Sequence, residues 1–95
     1  MELLATGPWH HYGKRLCRIV LRVYQSINRE YVTHTQYTEP SGFTCYEEGV
    51  YLTNNAQAAV ANFCRRCVLL SEDSGEVLTT AEVELWLMNT KGEPK

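Results

Sequence analysis

The segment 15–24 constrains the fold most strongly, because its side chains alternate in character from one residue to the next. The apolar set is Cys17, Ile19, Leu21 and Val23, and the opposite set is Arg18, Val20, Arg22 and Tyr24. A period of two residues is typical of a strand that buries one face. We therefore expect this segment to form the middle of a sheet.

The chain that follows has the composition and turn signals of further antiparallel strands. Residues 26–29 predict a turn, and residues 30–38 are rich in Tyr, Val and Thr, which favour strands. Residues 39–42, Glu-Pro-Ser-Gly, predict a second turn. A third strand is expected over 43–52, interrupted by a bulge or a tight corner at Glu-Glu-Gly, residues 47–49.

A helix is predicted over 55–70. Thr53, Asn54 and Asn55 are good N-cap residues, and Arg65 and Arg66 suit the negative end of a helix dipole. The apolar stripe consists of Ala56, Ala59, Val60, Phe63, Cys64 and Cys67. The polar run 71–75 then predicts a loop.

Two interpretations compete for residues 76–88. As a strand, Val83, Leu85 and Leu87 would alternate with Glu82, Glu84 and Trp86. As a helix, Thr79 and Glu82 would form a capping box. We favour the strand because the alternation is unbroken, and pairing with the first strand would set Arg22 opposite Glu82 or Glu84.

These elements predict one α+β domain over 1–95, with a mainly antiparallel sheet of about four strands and one amphipathic helix on one face. The expected order is β-β-β-α-β. Residues 1–13 are expected to form an irregular N-terminal arm, and residues 89–95 a frayed tail. The predicted core consists of Cys17, Ile19, Leu21, Val23, Val60, Phe63 and Leu85.

The composition predicts a globular chain in a reducing compartment. Hydrophobic residues make up 44% of the chain and charged residues 21%, as in globular domains. No apolar run approaches the roughly 18 residues of a membrane span. No positively charged segment precedes the first apolar residues, so we expect a cytoplasmic protein with reduced thiols and no membrane contact.

The sequence contains one spacing of the kind used for metals or redox chemistry, Cys64-Arg65-Arg66-Cys67. Zinc needs four ligands, and Cys17, Cys45, His10, His11 and His34 supply no second close cysteine pair. A redox pair usually lies where a helix begins, whereas this pair lies late in the predicted helix. We interpret both cysteines as core residues, and keep a small zinc or thiol-redox protein as an alternative.

Signatures of catalysis are missing from the sequence. It has no nucleophile elbow, and its six glycines are scattered singly, so no phosphate-binding loop is present. We expect no catalytic residues, no metal and no cofactor, and hence a protein that is not an enzyme.

Charge is divided unevenly along the chain. Residues 1–38 hold five basic and two acidic residues, whereas residues 39–95 hold four basic and nine acidic ones. This asymmetry, with exposed aromatic side chains, favours a protein-binding module that occludes its partner. We expect an inhibitor or accessory factor of the kind that phages and mobile elements encode. The candidate partner-binding residues are Trp9, Tyr12, Glu72, Asp73, Glu76 and Trp86.

The alternative is a protein that binds single-stranded nucleic acid through a sheet face carrying Arg18, Arg22 and Tyr24. A sequence pI of about 5.9 disfavours it, since dedicated nucleic-acid binders tend to be basic. Unpaired sheet edges would also allow a homodimer.

Overall fold

The computed structural model describes residues 2–25 and 27–90, without the side chains of residues 89 and 90. Within this range the chain forms a five-stranded antiparallel sheet and two helices. The elements are β1 (Glu2–Thr6), β2 (His10–Tyr12), β3 (Arg15–Gln25), β4 (Arg29–Thr38), β5 (Thr44–Thr53), α1 (Ala56–Ser74) and α2 (Thr80–Thr90). The predicted α+β class with a mainly antiparallel sheet is confirmed.

The alternating segment forms β3 and lies in the interior of the sheet, whose order is β1-β3-β4-β5. The short strand β2 pairs with the first residues of β3, and β1 pairs with its later residues. The expected irregular arm over 1–13 is therefore wrong. Gly7 and Pro8 break the chain between two short strands, and the Gly7 N–H donates to the Ile19 carbonyl at 2.8 Å.

Strands β3, β4 and β5 form the predicted meander. Leu21 lies opposite Thr33, and Cys17 lies opposite Tyr37, which lies opposite Cys45 on β5. The predicted interruption near residues 47–49 is confirmed, because the register between β4 and β5 shifts there and Glu48 has a φ of 58°. This bulge decides which β5 side chains lie on each face of the sheet.

Helix α1 begins where the sequence predicts. The Asn55 side chain caps it by accepting a hydrogen bond from the Ala58 N–H at 3.0 Å. The helix continues to Ser74 and ends at Gly75, which has a φ of 85°, so the predicted loop over 71–75 is wrong. The reason is that Ser71 is buried and its hydroxyl donates to the Val68 carbonyl and accepts from the Leu78 N–H.

Residues 80–90 form the helix α2, so the strand predicted over 76–88 is wrong. The capping box forms instead: the Thr79 N–H donates to the Glu82 carboxylate at 2.9 Å, and the Glu82 N–H donates to the Thr79 hydroxyl at 3.2 Å. The predicted pairing of Arg22 with Glu82 or Glu84 is also wrong, because Arg22 pairs with Leu3 of β1. Of the predicted frayed tail, residues 89 and 90 are helical and 91–95 lie outside the described residues.

The core lies between the helices and one face of the sheet. Its buried side chains are Ile19, Leu21, Val23, Tyr31, Ala59, Phe63, Cys64, Cys67 and Val83. The prediction of Val60 and Leu85 as core residues is wrong, because they are 44% and 56% exposed: α1 directs Ala59 and Phe63 inward, and α2 directs Val83 inward. No helix in the described part of the chain is long and apolar enough to span a membrane.

Candidate functional site

The sheet face opposite the helices carries a row of arginine and aromatic side chains. Strand register places them together, because Arg18 lies opposite Gln36, which lies opposite Tyr46. We call this surface the open face, and its residues are Trp9, Arg18, Arg22, Tyr24, His34, Gln36, Tyr46 and Tyr51. Within the described range, no helix packs on it.

Arg18 is held in place by two neighbours. Its Nε donates to the Gln36 side-chain oxygen at 2.7 Å, and its guanidinium carbon lies 4.3 Å from the centre of a Trp9 ring. Burial lowers the pKa of Arg18, yet an arginine remains charged at neutral pH. The result is a fixed cation beside an indole that is 41% exposed.

Arg22 belongs to a second cluster on the same face. Its guanidinium carbon lies 4.4 Å from the centre of the Tyr46 ring, and His34 makes edge contacts with Tyr46 and Tyr51. Gly49 makes room for this cluster, since a Cβ there would lie 2.9 Å from His34 Nε2. The glycine that follows the bulge therefore allows the imidazole to approach the main chain of β5 closely.

The surroundings of His34 favour its neutral form. Burial, and then the charges of Arg22 and Arg66, lower its pKa from the ordinary value of 6.5. Its Nδ1 is buried and has no hydrogen-bond partner within the described chain. Arg22 is the group of this cluster that carries a permanent positive charge.

The open face carries the cations Arg18 and Arg22 and, opposite Tyr24, the carboxylate of Glu30, which accepts a hydrogen bond from the Thr53 hydroxyl at 2.9 Å. Within the described residues, the carboxylates that form ion pairs reach other cations: Glu39 pairs with Arg15, and Glu48 lies 3.8 Å from Arg66 on the helix side. None of them lies within 4.0 Å of Arg18 or Arg22. An anionic partner could therefore contact both guanidinium groups without displacing a described carboxylate from within 4.0 Å of either.

The residues predicted for nucleic-acid binding, Arg18, Arg22 and Tyr24, all lie on the open face, and Tyr24 is 39% exposed at the end of β3. The sequence interpretation missed His34, Tyr46 and Tyr51. The signal that could have found both tyrosines is the bulge predicted at 47–49, because Tyr46 and Tyr51 have opposite parity along β5 and the extra residue between them brings both rings to one face. The pairing of β5 with β4 on the two sides of the bulge is not given by the sequence alone.

The predicted partner-binding residues do not form one surface. Trp9 lies on the open face, whereas Trp86 lies on α2 and donates to the Thr6 carbonyl at 2.8 Å. Glu72 and Asp73 are exposed in the last turn of α1. Tyr12 shares a small cavity with Asp73, and Glu76 lies 3.3 Å from His10 Nδ1.

A second surface is an apolar groove of about 1230 Å³ between the edge strand β1 and the two helices. Its main apolar walls are Leu3 and Leu4 from β1, Val60 and Val68 from α1, and Leu87 and Met88 from α2. Its polar lining includes Gln57, Arg65 and Glu84. Four of the apolar residues, Leu3, Leu4, Val60 and Met88, are between 40% and 75% exposed.

The cysteines lie inside the fold as free thiols, except that Cys45 is partly exposed. The interpretation of Cys64 and Cys67 as core residues is confirmed. Burial raises the pKa of both thiols, that of Cys67 to about 12, which disfavours a reactive thiolate. The described residues contain no group of three or more His, Cys, Asp or Glu side chains that could hold a metal ion.

Comparison with known protein families, with curated proteins and with solved structures found no match for this chain.

Proposed function

We propose that this protein is a non-enzymatic protein-binding module and that its partner occupies the apolar groove beside β1. The observation that carries this proposal is the exposure of Leu3, Leu4, Val60 and Met88 along one continuous groove. Contiguous exposed apolar surface is a feature of sites that bind proteins, ligands or membranes.

The groove suits an extended segment of a partner protein. Strand β1 is at the edge of the sheet, and no described strand pairs with its outer side. A partner segment added beside β1 would gain main-chain hydrogen bonds, and its alternate apolar side chains would enter the groove between β1 and the helices. By covering such a segment, this protein would block the contacts of the segment with other molecules, which is how an inhibitor or accessory factor acts.

Affinity capture with groove variants tests this proposal. Val60→Glu and Met88→Glu each place a charge on the groove wall, and burying an unpaired charge against a partner is costly. Val77→Glu is the matched control, because Val77 is 65% exposed and does not line the groove. We expect a partner bound by the wild-type protein and by Val77→Glu to be lost from both groove variants.

Circular dichroism of each variant must first show the wild-type helix content. Retention of the same partner by both groove variants would contradict the proposal, as would the absence of any partner of the wild-type protein. Loss of the partner from Val77→Glu as well would show a general effect of added charge and not an effect of the groove.

A further inference from the structure

We propose that the open face is a second binding site and that its ligand is single-stranded nucleic acid. This inference does not depend on the proposed protein partner, because the apolar groove lies between the edge strand β1 and the two helices, whereas the arginines and rings of the open face belong to β3, β4 and β5 and to Trp9. It rests on charge, on exposed aromatic rings and on the shape of the surface.

Charge complementarity comes from Arg18 and Arg22. Both lie on the same face of β3, and neither has a described carboxylate within 4.0 Å. Each is already stacked on an aromatic ring, at 4.3 Å for Arg18 on Trp9 and 4.4 Å for Arg22 on Tyr46. A side chain that is ordered in advance loses less conformational freedom when it binds a phosphate.

Exposed aromatic rings near the two arginines supply stacking surfaces. Trp9 is 41% exposed, Tyr46 is 44% exposed and Tyr51 is 58% exposed. Bases that are not paired in a duplex stack on such rings with little dependence on sequence. A sheet face with a few exposed rings typically holds about two or three bases.

The shape of the face favours a single strand over a duplex. The face is formed by side chains of neighbouring strands, and no described helix projects from it into a major groove. Stacking on Trp9 or Tyr51 also requires a base that is already free of its duplex neighbours. An acidic protein segment would form ion pairs with the two arginines but would gain less from stacking on the aromatic rings.

The test is a binding titration with fluorescently labelled 12-nucleotide single strands of DNA and of RNA, followed by anisotropy at several salt concentrations. The wild-type protein should bind at low salt, and affinity should fall steeply as salt rises. Arg18→Gln and Arg22→Gln should each weaken binding and reduce the slope of log affinity against log salt by about 0.7. Tyr51→Leu should weaken binding about 5-fold to 100-fold through lost stacking.

Arg65→Gln is the matched control, because it removes one positive charge from the exposed surface of α1. Its affinity should stay within about twofold of wild type, since a distant exposed charge is largely screened.

A second measurement, of tryptophan fluorescence, needs no substitution on the open face. In Trp86→Phe, Trp9 is the only tryptophan, and its fluorescence should be quenched as the strand binds.

Four results would overturn the proposal. These are no binding of either strand at low salt, equal loss of affinity in Arg65→Gln, duplex binding as tight as single-strand binding, and no quenching of Trp9. A fifth would reassign the face: binding of a poly-glutamate peptide that depends on Arg18 and Arg22, without binding of either oligonucleotide, would identify an acidic protein as the ligand.

Discussion

Arg66 of α1 donates two hydrogen bonds to Thr33 in the middle of β4, one to the main-chain carbonyl and one to the hydroxyl, each at 2.9 Å. A third bond reaches the Thr35 hydroxyl at 2.9 Å, and Glu48 lies 3.8 Å away. Burial lowers the pKa of Arg66, and Thr33 is completely buried. This guanidinium therefore connects the helix layer to the sheet through three hydrogen bonds.

Replacing Arg66 should destabilise the fold much more than replacing its neighbour. Arg66→Met leaves the buried oxygens of Thr33 without their charged donor, and we expect a loss of about 2 kcal/mol or more in the free energy of unfolding. Arg65→Met is the control, because Arg65 is exposed, and it should change stability by less than about 0.5 kcal/mol. Urea unfolding measures both, and equal losses would contradict the role of Arg66.

The thiols should react in two groups. Cys45 is partly exposed, whereas Cys17, Cys64 and Cys67 are buried and burial raises the pKa of each. With a disulfide reagent at pH 8, we expect one thiol to react rapidly and the others only after unfolding in urea. Cys45→Ser should remove the rapid phase. Two rapid thiols that then form a Cys64–Cys67 disulfide would favour a redox protein instead.

The capping box should stabilise α2 measurably. Thr79→Ala removes the hydroxyl that accepts from the Glu82 N–H, and such a change costs about 1 kcal/mol. Thr80→Ala is the matched control, since Thr80 is the next residue and is exposed within the helix. Urea unfolding followed by circular dichroism should show the larger loss for Thr79→Ala. The cap contributes nothing if the two variants unfold at the same urea concentration.

Stability should fall in mildly acidic solution because of His34. Its pKa in the fold is below the ordinary value of 6.5, so the unfolded chain binds the proton more readily. The stability contributed by the neutral imidazole is complete above pH 6.5 and is lost as pH falls from there towards the folded pKa. The steepest change should therefore lie below pH 6.5.

His34→Gln should flatten this part of the pH profile in urea unfolding between pH 7.5 and 5. His11→Gln is the control, because His11 is exposed on β2, and it should leave the profile unchanged. An identical slope for wild type and His34→Gln would mean that other groups cause the dependence.

The sequence by itself determined the features that depend on neighbouring residues. The alternation over 15–24 predicted β3 and assigned Arg18 and Arg22 to one face and Ile19 and Leu21 to the other. Asn55, a good N-cap residue, predicted where α1 begins. These signals are readable because side-chain parity and end caps act over a few residues.

Only the tertiary structure decided the features that depend on distant partners. Residues 76–88 satisfied both a strand and a helix pattern, and the structure forms the helix α2, which buries Val83 in the core. The bulge at Glu48 and the register of β5 on its two sides placed Tyr46 and Tyr51 around His34. A shift of one residue would turn those rings to the other face, and long-range pairing, which local sequence does not specify, prevents that shift.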